Sequence, residues 1–161
     1  MSGAMNILEN ITYAELNEGD TATFTRTLSE DQLVLFAAVS GDVNPVHLDA
    51  AFAAESIFKE RVAHGMWSGG LISAALATVM PGPGTIYLEQ NMIFRRPVKL
   101  EDTLTVNLTV LRKEPKGRVI IQCDVRNQNN QTVVSGEAKV IAPSDKLSLL
   151  RPDLPKITIE S

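Results

Sequence analysis

The chain has 161 residues, 44% of them apolar and 21% charged, with a net charge of −4 and a single cysteine. That balance suits one globular domain with its own core, and its acidity argues against the basic face that non-specific nucleic-acid binding needs to neutralise phosphates. The lone Cys123 rules out an internal disulfide, leaves too few thiolates for a zinc finger or iron–sulfur cluster, and points to a reducing compartment such as the cytoplasm.

Residues 1 to 6, which open Met1-Ser2-Gly3-Ala4-Met5 without the charged and apolar regions of a secretory signal, are read as an expression remnant or disordered leader. Thr21 to Leu28, rich in β-branched threonine, predicts a first strand. Ser29-Glu30-Asp31-Gln32 matches a capping box, so a helix begins near Glu30, clusters Leu33, Phe36, Ala37 and Val39 on one side, and stops at Gly41. Asp49 can cap a short helix over Ala50 to Phe58, and the charged link Lys59-Glu60-Arg61 leads into Val62-Ala63-His64-Gly65.

Met66 to Met80 is apolar or small on nearly every face, as an enclosed helix requires. It falls short of the roughly 20 residues that span a bilayer, so no membrane segment is expected. Pro81-Gly82-Pro83-Gly84 ends it. Period two then takes over. Thr85 to Phe94 sets Ile86, Leu88, Met92 and Phe94 on one side, and Thr103 to Arg112 alternates Leu104, Val106, Leu108 and Val110 with polar residues. Arg118 to Arg126 and Thr132 to Ile141 repeat the pattern across a turn at Asn129-Asn130, with Cys123 as a small core residue. The result is an α+β domain over residues 7 to 143, an antiparallel sheet around one long helix. One helix covers one face and the outer strands keep unpaired edges, which favours a homodimer or a higher homo-oligomer. Residues 144 to 161, with Pro152 and Pro155 and no periodic pattern, read as a linker-like tail.

The segment that carries chemistry is Ser40-Gly41-Asp42-Val43-Asn44-Pro45-Val46-His47. Gly41 and Pro45 force a defined turn in which a carboxylate and one of only two histidines converge, the parts that general acid–base work on a shared water requires. Asn44 offers an amide that orients the loop and supplies neither acid nor base. A metal set drawn from Asp42, His47, Asp49 and His64 lacks the histidine spacing of zinc motifs, so neither metal nor cofactor is expected.

These residues resemble the MaoC-like dehydratases, in particular the R-specific enoyl-CoA hydratases of the hot-dog superfamily. The likeness spans residues 14 to 143 and rests on the hydratase signature S-G-D-x-N-P-x-H at Ser40 to His47, the A-H-G-M run from Ala63 to Met66, Pro81 to Leu88, and Gln90 to Val98. Its nearest form is the N-terminal hydratase-like portion of bifunctional enoyl-CoA hydratase/phosphate acetyltransferase proteins. The resemblance implies reversible syn hydration of trans-2-enoyl-CoA to (R)-3-hydroxyacyl-CoA in fatty acid metabolism. Asp42 and His47 would hold the water, with Asp42 as principal base, and the Gly65 backbone N–H would meet the thioester oxygen from a helix N-terminus. Ser73 and Leu76 would line the acyl pocket, or else the core. His64 takes a structural role. Arg95 and Arg96, with Lys99, would meet the phosphates of coenzyme A, and Lys113, Lys116 and Arg118 are the other set. Two further readings stay open: an acyl-CoA thioesterase, and a non-catalytic module that binds acyl-CoA.

Overall fold

Alternating apolar residues build the sheet, and its inner face decides where everything else sits. A computed structural model of the chain describes residues 6–160. In chain order these form β1 (Ile7–Glu9), β2 (Thr21–Thr27), α1 (Glu30–Ser40), α2 (Pro45–Leu48), α3 (Ala50–Glu55), α4 (Gly65–Thr78), β3 (Ile86–Gln90), β4 (Ile93–Phe94), β5 (Thr103–Glu114), β6 (Arg118–Arg126), β7 (Thr132–Ile141) and β8 (Ser148–Leu150). The main sheet is antiparallel, ordered β2-β5-β6-β7-β3, and β4 also pairs with β7.

Leu104, Val106, Leu108 and Val110 of β5 point inward with Val119, Ile121, Cys123 and Val125 of β6 and Val134, Ala138 and Val140 of β7. They pack on Trp67, Leu71, Ile72, Ala75 and Leu76 of α4, so the sheet curls around the long helix as the sequence predicts. Burial pushes the Cys123 thiol up to about 12, which leaves it protonated at neutral pH and fits its place in the core. The outer face of β2 and β5 carries threonine pairs, with Oγ1 of Thr25 and Thr105 at 3.1 Å and of Thr27 and Thr103 at 2.8 Å.

Three expectations change. The strand predicted over Thr85 to Phe94 is broken into β3 and β4, because Asn91 folds over Gly136: its N–H donates to the Glu137 carbonyl and its Oδ1 accepts the Glu137 N–H. Of the residues expected on one side, Ile86, Leu88 and Phe94 are about half exposed in the single chain, and only Met92 packs partly buried against the core. The helix expected to be enclosed on nearly every face presents Met66, Gly70, Ser73 and Ala77 to solvent. The tail is not all linker: β8 pairs with β1, and the Arg151 N–H donates to the carbonyl of Asn6. Three-residue strands are too short to show period two in sequence. Residues 151–160 form no regular element and are exposed, residues 1–5 lie outside the described residues, and Asn6 belongs to the fold.

Gly136 is buried and a Cβ there would run into the Asn91 carbonyl, a backbone group that cannot swing aside. Gly136→Ala is therefore expected to lower unfolding free energy by about 1–3 kcal/mol, the usual cost of overpacking. Urea denaturation measures this, and an unchanged midpoint contradicts the tight crossing.

Candidate active site

The site starts at the end of α1. Ser29 caps the helix, accepting the Gln32 N–H on its side chain, whereas the return bond that would complete the capping box is missing and Gln32 Oε1 is buried without a partner among the described residues. At the other end Gly41 takes φ of 76° and donates its N–H to the Ala37 carbonyl, a left-handed turn that glycine adopts without strain. Ser40 Oγ accepts the Asp42 N–H, and Asp42 Oδ1 accepts the Asn44 N–H. Asn44 Oδ1 then accepts the Val46 N–H, and Pro45 opens the single turn of α2 that presents His47. Each polar residue of the octapeptide fixes the next. Asn44 orients the loop, as its chemistry predicts.

Asp42 and His47 do converge. Asp42 Oδ2 lies 3.8 Å from His47 Nε2, with the Asp42 side chain about half exposed and His47 buried. His47 Nδ1 lies 2.7 Å from the Val62 carbonyl oxygen. A carbonyl can only accept, so Nδ1 carries the hydrogen, and the neutral ring presents the Nε2 lone pair towards the carboxylate. At 3.8 Å the two atoms are too far apart for a direct hydrogen bond. One water beside them can donate an O–H to each.

His64 is closer to this centre than sequence suggests. It is 3% exposed, its ring stacks on His47 with centroids 3.7 Å apart, and Phe36 packs on it at 5.0 Å. Its Nε2 donates to the Asp42 backbone carbonyl at 2.9 Å, by the same carbonyl argument. Asp42, His47 and His64 bring possible ligand atoms within 4.8 Å of one another. Two of the four ring nitrogens hold hydrogens to carbonyls, which leaves lone pairs on His47 Nε2 and on His64 Nδ1, the latter buried without a hydrogen-bond partner among the described residues.

Gly65 follows at the first position of α4, with His64 as N-cap and no acidic residue in the first turn. N–H groups there have no partner within the helix and carry the positive end of its dipole. A Cβ at position 65 would meet the Phe94 ring at 3.1–3.5 Å, so the glycine lets the aromatic ring lie directly on the helix start.

His47, His64 and Gly65 border a cleft of about 410 Å³, lined also by Asn44, Arg95 and Arg96 and by an apolar wall that includes Val46, Phe58, Val98 and Val134. Ser73 and Leu76 do not line it. Leu76 lies in the core at 1% exposure and Ser73 faces solvent, because α4 runs under the sheet beyond its first turns. Ser68, one turn from Gly65, lines the cleft instead; its apolar helical context gave no sign of this. Arg95 Nε donates to Ser135 Oγ and Arg96 Nη1 to the Thr132 carbonyl, and both guanidinium groups are exposed at the cleft. Lys99 is paired with Glu60 at 2.5 Å, and Lys113 lies over the Tyr13 ring with its Nζ on the Leu16 carbonyl. Arg118 is opposite Ile141, at the far end of β7 from Val134.

A MaoC like domain matches residues 14–133. The chain belongs to the MaoC-like dehydratase family. It is 39% identical over 132 residues to the (R)-specific enoyl-CoA hydratase of Rhodospirillum rubrum, covering 82% of this chain and 92% of that protein. Among solved structures, the unliganded R-hydratase PhaJ1 of Pseudomonas aeruginosa is 58% identical with a TM-score of 0.93, covering 96% of this chain and 99% of that one. The (R)-hydratase of A. caviae is 36% identical with a TM-score of 0.77, covering 80% and 98%. This MaoC-like chain therefore has the hot-dog fold. All three relatives are matched over nearly their whole lengths, and the likeness to a bifunctional protein finds no counterpart among them.

Proposed function

We propose that this MaoC-like chain is an (R)-specific enoyl-CoA hydratase, adding water reversibly and syn across the double bond of a trans-2-enoyl-CoA. The observation that carries the reading is the pair of acceptors, Asp42 Oδ2 and His47 Nε2, set 3.8 Å apart, with His47 lining a cleft beside a helix N-terminus. A water that donates to both turns its oxygen lone pair towards C3 of the substrate. Asp42, the anion of the pair and already fixed by the Asn44 N–H, takes one proton as the O–C3 bond forms. The π electrons move to the thioester oxygen, where the Gly65 N–H stabilises the enolate-like charge. The same proton returns to C2 from the same face, which completes the addition of H and OH. His47 holds the second O–H and orients the water throughout.

Arg95 and Arg96 are the cations best placed for coenzyme A phosphates, since Lys99 and Lys113 are engaged elsewhere and Arg118 lies at the other end of β7. Among the described residues no helix is long and apolar enough to cross a membrane. The working unit is a homodimer. The edge strand β2 is protected by threonines and Arg26, whereas the opposite edge, β3 and β4, exposes Ile86, Leu88, Ile93 and Phe94 beside Met66. Phe94 also borders the cleft, so a second copy on that edge would close the site.

Asp42→Asn and His47→Gln are each expected to lower kcat for crotonyl-CoA hydration by about 10²–10⁴-fold with the fold intact. Loss of absorbance at the enoyl thioester band measures this, and near-wild-type turnover in either variant removes the assignment. Release of free coenzyme A, followed with a thiol reagent, identifies a thioesterase instead, while tight acyl-CoA binding without turnover identifies a binding module. Light scattering is expected to give twice the chain mass, and Leu88→Lys to shift it towards one; a monomeric wild type contradicts the dimer.

A further inference from the structure

His64 has one ring nitrogen bound, the other buried, and its ring packed against those of His47 and Phe36. None of its polar atoms is free to meet a substrate. Yet it touches all three parts of the proposed machinery: the backbone of Asp42 through Nε2, the ring of His47 through its face, and Gly65 through the chain itself. Core histidines that serve stability alone have no reason to sit at that junction.

We infer that His64 is a positioning residue of the hydration site, clamping the Asp42 main chain through its Nε2–H while its stacked ring holds the plane of His47, so that the two water acceptors keep their spacing. The inference rests on the hydratase reading. Asp42 sits on a loop, half exposed, and its own side chain makes one bond, to the Asn44 N–H. The left-handed Gly41 before it is a joint that allows the loop to swing. The tether from His64 crosses from the start of α4, a rigid element, and removes that freedom. His47 has the Val62 carbonyl to set its tautomer, but one hydrogen bond leaves the ring free to rotate about that contact. A second ring stacked at 3.7 Å blocks the rotation. Because one side chain serves both acceptors, its loss moves them relative to each other.

Two substitutions separate the two tasks. His64→Phe keeps a flat ring against His47 and removes the donor to Asp42, and His64→Gln keeps an N–H donor and removes the ring. Each is expected to lower kcat roughly 10- to 100-fold with KM changed less than about twofold, the cost of misplacing catalytic groups by an ångström or less. The decisive readout is a double-mutant cycle. In an Asp42→Asn background His64→Phe should cost less than about threefold, because the clamp then holds a group that no longer takes the proton. An equal loss in both backgrounds, or a rise in KM at unchanged kcat, overturns the inference and returns His64 to the core. A readout that needs neither a variant nor turnover is the nitrogen-15 histidine spectrum of the wild-type chain at alkaline pH, where His64 must be the Nε2–H tautomer and His47 the Nδ1–H tautomer. The opposite tautomer at His64 overturns the clamp even if the substituted chains do not fold. If wild type hydrates no enoyl-CoA of any chain length, the hydratase reading fails, and the tautomer at His64 alone decides whether the clamp exists.

Discussion

Two backbone carbonyls set the protonation pattern of the site. The Val62 oxygen takes the hydrogen of His47 Nδ1, and the Asp42 oxygen takes that of His64 Nε2. A neutral histidine has one hydrogen to give, so satisfying Val62 leaves a lone pair at the nitrogen that faces the Asp42 carboxylate. A carboxylate and an imidazole lone pair side by side are two acceptors that one donor between them can satisfy together. Water is the smallest such donor.

The fold supplies the stiffness that this needs. Val62 is tied on both sides, its N–H reaching the Val46 carbonyl and the next residue, Ala63, bonding to Val98. Trp67, Leu71 and Ile72 anchor α4 to the sheet just beyond the site, which keeps the helix start fixed while leaving its terminal N–H groups at the cleft. The donors come from the backbone and the acceptors from side chains on a braced turn, so most of the geometry depends on chain path and little on flexible side chains.

Much of this was legible in sequence, and the limits have physical causes. The strands β5, β6 and β7 announce themselves because one face of each is buried, and a buried face imposes period two. Asp42 and His47 stand out since turn residues confine them, and the Ser29 cap and the Gly41 stop follow from local hydrogen bonding alone. The β1–β8 pair leaves no such trace, since its three-residue strands are largely exposed. The break at Asn91 depends on a crossing with Gly136, distant in the chain. Leu76 shares a helical face with Gly65, and spacing alone could not say where that face turns from cleft to core. The role of His64 was hidden for a similar reason. Its contacts reach back to Phe36, Asp42 and His47, and in sequence Gly65 beside it already accounts for the A-H-G-M run through its backbone.

The central claim is that one water, held by Asp42 and His47, delivers its oxygen and a proton to the same face of the substrate. Hydration of crotonyl-CoA in heavy water tests it most directly, because the deuterium added at C2 records the face of protonation relative to the new hydroxyl at C3. The account requires a single diastereomer of (R)-3-hydroxybutyryl-CoA with deuterium and hydroxyl added syn, read from proton couplings by NMR. Anti addition, or a mixture of the two diastereomers formed before any exchange, would contradict it.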